Sequence, residues 1–228
     1  MMQMPMHITI DGPVAAGKTS TAKALAKELK MTYLDTGALY RTVALYLQEN
    51  QLGPDDCTPD LMSKINVQLG SKNSDDGLVI FLNGKPVDDA RLRTPELSKM
   101  ASDSSAMPVV RRKLLDVQRS IAAAQKTVLE GRDTGTVILP DAKFKFYLTA
   151  DPLVRAQRRY AQDRARWPKA ALTPDKVLAE LNERDANDMN RAAAPLAVPP
   201  DAVVIDNTNL SLPETVYLMA QLVRFRNS

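Results

Sequence analysis

The sequence predicts an α/β fold in which a five-stranded parallel sheet is flanked by helices. Short apolar segments alternate with longer amphipathic segments along the 228 residues, which is typical of parallel strands joined by helices. A glycine-containing loop with a lysine joins the first strand to the first helix. Residues 65–90 interrupt the alternation and predict a small antiparallel insert that projects from the core.

Strands are predicted where short apolar runs are bounded by polar or turn residues. We expect them at 6–10, about 32–34, 127–130, 143–148 and 202–206. Helices fill the gaps, and several have a proline just inside the first turn, where its missing N–H is not needed. We expect them at 18–30, 37–50, 95–105, 108–125, 152–166, 174–190 and 213–225. Within the insert, strands at 65–69 and 78–82 are predicted, and Asn83-Gly84 indicates a tight turn.

Composition limits the possible classes of protein. Apolar residues make up 44% and charged residues 25% of the chain, and no run approaches the length of a membrane span. One cysteine, Cys57, excludes an internal disulfide, and one histidine, His7, leaves no metal site built on histidine or cysteine. The first seven residues lack the pattern of a secretory signal, so we expect a cytoplasmic protein. The net charge is only +3, and the arginines of 155–166 lack interleaved aromatic residues, which favours phosphorylated small molecules over nucleic acid.

Residues 12–19 read Gly-Pro-Val-Ala-Ala-Gly-Lys-Thr, which matches G-x-x-x-x-G-K-[ST] directly after the first predicted strand. In such a loop the backbone N–H groups surround phosphate oxygens, Lys18 reaches the transferable phosphate, and the Thr19 hydroxyl meets Mg²⁺. The residues expected to contact the nucleoside triphosphate are Gly12, Pro13, Val14, Ala15, Ala16, Gly17, Lys18, Thr19 and Ser20. The alternative is a turn that binds nothing, but strand, loop and helix occur in the order that phosphate binding requires.

The interior of this loop is Val14-Ala15-Ala16, so residues with a Cβ must adopt dihedral angles that glycine often provides. We interpret this as a tolerated variation, and it leaves the identity of the nucleoside triphosphate open.

Three polar clusters lie where a parallel sheet exposes its functional edge, just beyond strand ends or on a nearby helix. They occupy 34–41, 130–135 and 183–191. Taken singly, they have structural explanations: a helix cap with an exposed arginine, a loop salt bridge and a solvated charged helix. Together they supply the cationic charge that phosphoryl transfer between two phosphorylated partners requires.

With these clusters the chain resembles the bacterial cytidylate kinases, which transfer the γ-phosphoryl group of ATP to CMP or dCMP. The matching stretches span nearly the whole length and are 8–13, 34–41, 131–137, 140–142, 183–185 and 190–196. The phosphate loop is generic, whereas the combination of the other stretches is specific to this family. The resemblance implies one P-loop kinase domain over 1–228. Its parts are a core (1–35, 106–150 and 192–228), a monophosphate-binding lobe (about 36–105, with a β insert at about 63–92) and a helical lid (about 151–191).

The resemblance also implies roles for individual residues. With Lys18, the expected catalytic residues are Arg41, Arg132 and Arg191, which would grip the acceptor phosphate and the transferring group. The cytosine would be surrounded by Thr36, Ser102, Arg111 and Asp133, the sugar held by Arg184 and Asp188, and ATP covered by Arg155, Arg158 and Arg159. The full expected acceptor set is Thr36, Tyr40, Arg41, Ser102, Arg111, Gly131, Arg132, Asp133, Arg184, Asp188 and Arg191.

The implied cofactor is Mg²⁺ and the implied donor is ATP, with a monomer that binds neither nucleic acid nor membrane. The chain departs from the family at Thr36, where a serine is usual, and at Thr19, where glycine is frequent, so the hydroxyl of Thr19 or of Ser20 would meet the metal. Two alternatives stay open. One is another P-loop kinase, acting on UMP, dTMP or shikimate. The other is a non-enzymatic nucleotide switch, although neither a switch segment nor a guanine-specificity motif is evident.

Overall fold

The computed structural model describes residues 6–71, 78–168 and 171–226. The strands, in chain order, are β1 (His7–Asp11), β2 (Thr32–Asp35), β3 (Val67–Ser71), β4 (Leu78–Leu82), β5 (Lys85–Pro86), β6 (Thr127–Gly131), β7 (Phe144–Thr149) and β8 (Val203–Asp206). The helices are α1 (Lys18–Leu29), α2 (Thr36–Glu49), α3 (Pro59–Lys64), α4 (Pro95–Ser105), α5 (Pro108–Ala124), α6 (Pro152–Arg166), α7 (Pro174–Asn190) and α8 (Leu212–Phe225). The predicted termini of the long elements agree with these bounds to within about one residue.

The five-stranded parallel sheet that the sequence predicts is confirmed, with the strand order β2-β6-β1-β7-β8. β1 lies at its centre, where Ile8 pairs with Val128 of β6 on one side and with Phe144 of β7 on the other. Every residue of β1 is buried, as expected for a strand covered on both faces by helices. The central position of β1 brings the loop that follows it to the middle of one sheet edge.

Two apolar clusters cover the two faces of this sheet. One joins Ile8, Ile10 and Phe146 to residues of α1 and α8. The other joins Leu34 and Leu129 to residues of α2, α4 and α5 and to the small sheet. Successive residues of a strand point to opposite faces, which is why the apolar side chains of β6 divide between the two clusters. The helices are thereby fixed around the edge at which the parallel strands end.

The predicted antiparallel insert is confirmed as a three-stranded sheet in the order β3-β4-β5. Asn83 and Gly84 both have positive φ angles, 49° and 79°, as a tight hairpin turn between β4 and β5 requires. The prediction of a strand at 65–69 was wrong at its start, since β3 begins at Val67. Thr58 caps α3, and the backbone N–H of Ile65 donates to the carbonyl of Met62 at the end of this helix.

Other features were not predicted from the sequence. They are the helix α3, short 3₁₀ helices at Pro54–Asp56 and Arg91–Arg93, and a π-helical turn at Thr134–Ile138. The predicted core, insert and lid ranges include 1–5, 72–77, 169–170 and 227–228, and these parts of the predictions lie outside the described residues. In the described ranges, no helix combines the length and apolar character needed to cross a membrane.

Gly12 is the position in the loop after β1 at which the backbone tolerates no side chain. Its φ angle is 148°, and a Cβ would collide with the backbone carbonyl of Leu148 in β7. We expect Gly12→Ala to lower the free energy of unfolding by about 2 kcal/mol or more, because strain and overpacking combine. The matched control is Gly53→Ala, where the nearest atom to a Cβ is 3.8 Å away and a change within about 0.5 kcal/mol is expected. Urea denaturation measures both, and equal losses would contradict the proposed steric constraint.

Candidate functional site

A cavity of about 630 Å³ lies at the carboxyl ends of the central strands, between the phosphate loop (residues 12–19) and the helices α2, α4, α6 and α7. It brings together most of the side chains that were singled out from the sequence. The predicted residues that line it are Val14, Ala15, Gly17, Lys18, Thr19, Ser20, Thr36, Tyr40, Arg41, Ser102, Arg111, Gly131, Arg132, Asp133, Arg158, Arg159, Arg184, Asp188 and Arg191. Gly12, Pro13, Ala16 and Arg155 are not among its lining residues.

The phosphate loop connects β1 to α1 with the shape that its sequence predicts. Gly17 has a φ angle of 87° and precedes the first residue of α1, while Ala15 has a left-handed φ of 58° despite its Cβ. The Nζ atom of Lys18 donates to the carbonyl of Pro13 at 2.6 Å, across the loop. Burial, and next the charge of Arg132, lower the pKa of Lys18 to about 7. Because the Lys18 side chain is buried, its charged form interacts strongly with any anion that enters the loop.

Glu130 lies beside the loop and was not selected as a site residue from the sequence. Its Oε1 atom accepts hydrogen bonds from the Thr19 hydroxyl at 2.6 Å and from the Tyr33 hydroxyl at 3.0 Å. Burial, and then the charge of Asp35, raise the pKa of this carboxyl. A hydroxyl and a carboxylate at the cavity wall are oxygen donors of the type that Mg²⁺ prefers, so this corner of the cavity fits the ion. Ser20 also lines the cavity and stays the alternative hydroxyl.

Asp133 forms the centre of a second group of side chains, on the side of the cavity formed by α4 and α5. Its carboxylate accepts from the guanidinium of Arg111 and lies 3.5 Å from that of Arg191. Arg111 in turn lies 5.7 Å from the centroid of the Tyr40 ring. Burial raises the pKa of Asp133, and the guanidinium groups of Arg111 and Arg191 oppose that rise. This end of the cavity therefore combines charged donors with a buried carboxylate acceptor.

Asp188 links two of the predicted phosphate-binding arginines. Its carboxylate lies 2.8 Å from Nε of Arg132 and 3.6 Å from the guanidinium of Arg191. Burial alone would raise the pKa of Asp188, yet the neighbouring guanidinium groups, Arg132 first and then Arg184, hold that pKa below its usual range. The pairing holds both guanidinium groups within 3.6 Å of one carboxylate.

Arg184 lines the same cavity. Its Nε atom is buried and has no hydrogen-bond partner within the described part of the chain. Burial, and after it the charge of Arg132, lower the pKa of Arg184 to about 10. A guanidinium whose buried Nε donor is unsatisfied, at a cavity wall, favours an anionic ligand.

Arg41 lines the cavity from α2 and is held there by Asp35. Asp35 caps this helix by accepting from the backbone N–H of Ala38, and its second oxygen accepts from Arg41 at 2.7 Å. Arg93, which also lines the cavity and was not predicted, lies 3.5 Å from the same carboxylate. The hydroxyl of Thr36 donates to the backbone carbonyl of Glu130 at 2.8 Å, so it can still accept a hydrogen bond from a ligand.

Three arginines at the start of α6 were grouped together in the sequence, and the structure separates them. Arg158 lines the cavity and donates to the side-chain and backbone oxygens of Asn207, both at 2.9 Å. Arg159 lines it too, paired with Asp163 at 2.7 Å. Arg155 is buried behind the phosphate loop and donates to the carbonyl of Val14. Asn207 was not predicted, and it donates to the carbonyl of Ala16 at 3.0 Å.

Asp11, at the end of β1, positions the segment that carries Arg132 and Asp133. Its carboxylate accepts from the backbone N–H and the hydroxyl of Thr134 and from the backbone N–H of Gly135, each at 2.8 Å. Burial raises its pKa even so. Asp11 was not selected as a site residue from the sequence, although its position directly before the phosphate loop could have indicated it.

Known proteins resemble this chain over nearly its whole length. The family model described as cytidylate kinase matches residues 8–225. A cytidylate kinase of Fervidobacterium nodosum is 42% identical over 98% of both chains, and one of Thermosipho melanesiensis is 41% identical over 97% of this chain and 98% of its own. Among solved structures, a shikimate kinase of Bacteroides thetaiotaomicron superposes with a TM-score of 0.50 at 10% identity, covering 96% of this chain and 98% of that one. This last similarity shows the fold alone.

The resemblance inferred from the sequence motifs is thereby confirmed. The family match covers nearly the whole chain, and the relatives span it end to end at about 40% identity. The chain belongs to the cytidylate kinase family.

Proposed function

We propose that this protein transfers the γ-phosphoryl group of ATP to CMP or dCMP, giving ADP and CDP or dCDP. The observation that carries the proposal is that one cavity is lined by the phosphate loop, by the Asp133–Arg111 pair and by further guanidinium groups. A donor and an acceptor placed in these two parts would meet end to end at their phosphates. The relatives named cytidylate kinase support this acceptor.

We assign the pocket around Asp133 to the cytosine base. Its carboxylate would accept from the exocyclic amine, while Arg111 would donate to the ring acceptors O2 and N3. Ser102, which lines the same cavity, and the Thr36 hydroxyl would complete the contacts. Uracil presents a carbonyl oxygen where cytosine has the amine, so it would face the Asp133 carboxylate without a hydrogen bond.

Arg41, Arg132 and Arg191 would bind the acceptor phosphate and the transferring group, with Arg184 and Asp188 near the sugar. Arg184 also lies among the charges of Arg132, Arg41 and Arg159, which supports a contact with the transferring phosphoryl group. Arg158 and Arg159 would cover ATP. When bound, Mg²⁺ would neutralise charge on the β- and γ-phosphates, held by the hydroxyl of Thr19 or Ser20.

The transfer itself would need no covalent step on the protein. An oxygen of the CMP phosphate attacks the γ-phosphorus in line, the bond to the β,γ-bridging oxygen breaks, and ADP leaves. The acceptor oxygen is already ionised near neutral pH, so no general base is assigned. Lys18, the loop N–H groups and the arginines stabilise the charge that spreads over the moving group. That the protein is a cytoplasmic monomer without a nucleic-acid partner stays a prediction.

A panel of acceptors tests the proposed reaction. CMP, dCMP, UMP, dTMP and shikimate are each assayed with ATP and Mg²⁺ by coupled detection of ADP release. We expect the highest kcat/KM for CMP or dCMP, because only the cytosine amine donates to Asp133. Release that is greatest with another acceptor would assign a different kinase activity, and ATP turnover that no acceptor stimulates would favour a nucleotide switch.

Lys18→Met is expected to reduce kcat by at least about 100-fold, because it removes the cation in the phosphate loop without changing the apolar stem. The matched control is Lys27→Met, an exposed position on the same helix, with kcat expected to change less than twofold. Circular dichroism verifies that both variants fold. A Lys18→Met enzyme with near-normal kcat would refute the assigned role.

Asp133→Ala is expected to lower kcat/KM for CMP by about 10- to 100-fold, because a charge-assisted hydrogen bond is lost, and to leave KM for ATP within about twofold. The ratio of kcat/KM values for CMP and UMP should fall with it. Asp141→Ala, which removes an exposed acid from a nearby loop, serves as the control. Equal losses toward both substrates would count against base recognition by Asp133.

A further inference from the structure

Val14 belongs to the phosphate loop, yet its side chain is part of a small apolar cluster formed with α6 and α7. The cluster contains Val14, Ala156, Val177 and Leu181, and Val14 is only 7% exposed. Ala15 and Tyr160 pack against it. One residue of the loop is therefore anchored between two helices that lie outside the central sheet.

The peptide groups of Val14 are held by the same two helices. Its backbone N–H donates to Oδ1 of Asp185 on α7 at 2.9 Å, and its carbonyl accepts from Nη1 of Arg155 on α6 at 2.9 Å. The same Nη1 atom donates to Oδ2 of Asp185 at 2.5 Å, and Nε of Arg155 donates to the carbonyl of Ala150. Both charged side chains are buried, at 5% exposure for Arg155 and 7% for Asp185. Val14 is thus fixed at its N–H, its carbonyl and its side chain.

The conformation of Ala15, the next residue, explains why a fixed position of Val14 matters. Ala15 adopts a φ angle of 58°, a left-handed conformation that costs a residue with a Cβ about 1 kcal/mol. Such a conformation persists when the surrounding structure determines it. The direction of the N–H groups that follow Val14 depends on this angle, and those groups are the ones that a bound triphosphate would meet.

We infer that Asp185, Arg155 and Val14 act as positioning residues for the donor nucleotide, by linking the phosphate loop to α6 and α7. This inference rests on the proposed function in taking the ligand of the loop to be ATP. Under this inference Arg155 holds the phosphate loop, whereas the family resemblance implies that Arg155 contacts ATP directly. It also separates Asp185 from Asp188, one turn later on α7, whose carboxylate pairs with the arginines on the acceptor side.

The alternative is that this buried ion pair only stabilises the fold. The two possibilities differ in what they predict for the two substrates. A purely structural pair would lower the melting temperature and leave the binding of donor and acceptor alike, whereas a positioning pair would weaken the donor selectively.

Asp185→Asn and Val14→Ala test the inference, since the first keeps an oxygen for the Val14 N–H and the second keeps every backbone group. The controls are Asp201→Asn, which removes the partner of the buried Lys145, and Val223→Ala in the cluster beneath α8. Calorimetry measures the binding of a non-hydrolysable ATP analogue and of CMP, steady-state kinetics give KM for each substrate, and thermal unfolding gives Tm.

We expect the dissociation constant of the analogue and KM for ATP to rise about tenfold in both test variants, because Asp185→Asn weakens a buried hydrogen bond to Val14 and Val14→Ala removes apolar packing that holds the same residue. The constants for CMP should stay within about twofold, and both controls should keep both sets of constants while losing Tm. A lower Tm with unchanged donor constants, or equal weakening of donor and acceptor, would overturn the inference. Binding of the analogue requires no acceptor, so a wild-type protein that fails to phosphorylate CMP would reject the proposed function and leave this comparison valid. A wild-type protein that does not bind the analogue would overturn both.

Discussion

The constraint on which the site depends is the pairing of its buried guanidinium groups with a smaller number of carboxylates. The described residues that line the cavity include nine arginines and one lysine, but only four acidic residues, Asp35, Glu130, Asp133 and Asp188. Uncompensated cations in a dry environment repel one another strongly. Asp133 and Asp188 each lie within ion-pair distance of two arginines, so a few acids hold many cations in place. The net positive charge that is left over is what two phosphorylated ligands would neutralise.

The parallel sheet places an acid at the end of each of three adjacent strands. Adjacent strands β1, β6 and β2 end at Asp11, at Glu130-Gly131 and at Asp35, and the register pairs Asp35 with Glu130 and Asp11 with Gly131. Each carboxylate holds a different segment: Asp11 the turn after β6, Glu130 the Thr19 hydroxyl, and Asp35 the first turn of α2 with Arg41. Because these strands end at one edge, three loops distant in sequence are fixed within one cavity. The acids that end the strands are therefore as necessary to the geometry as the residues that line the wall.

The sequence predicts the elements of this architecture well and their side-chain contacts poorly. Apolar runs and prolines inside first turns locate the central strands and long helices almost to the residue, because these signals are local. Most of the candidate site residues that the motifs indicate line one cavity. Asp185 and Arg155 illustrate what the sequence does not predict. Both lie in charged segments that the sequence analysis singled out, but neither their spacing nor their charge indicates that they form a buried ion pair behind Val14. The π-helical turn at Thr134–Ile138 likewise depends on a contact with Asp11, 123 residues away.

The composition of the phosphate loop follows from the same contacts. From the sequence, Val14-Ala15-Ala16 is interpreted as a tolerated variation on a glycine-rich interior. In the structure Val14 has a packing role, because its methyl groups fill the space between α6 and α7. A glycine at this position would adopt the loop conformation without strain but would leave that cluster without one of its four buried members. The loop thus obtains its shape from neighbouring helices, whereas a glycine-rich loop obtains it from backbone freedom. A loop held in this way has less conformational entropy to lose when a triphosphate binds, so anchoring favours affinity for the donor as well as stability of the fold.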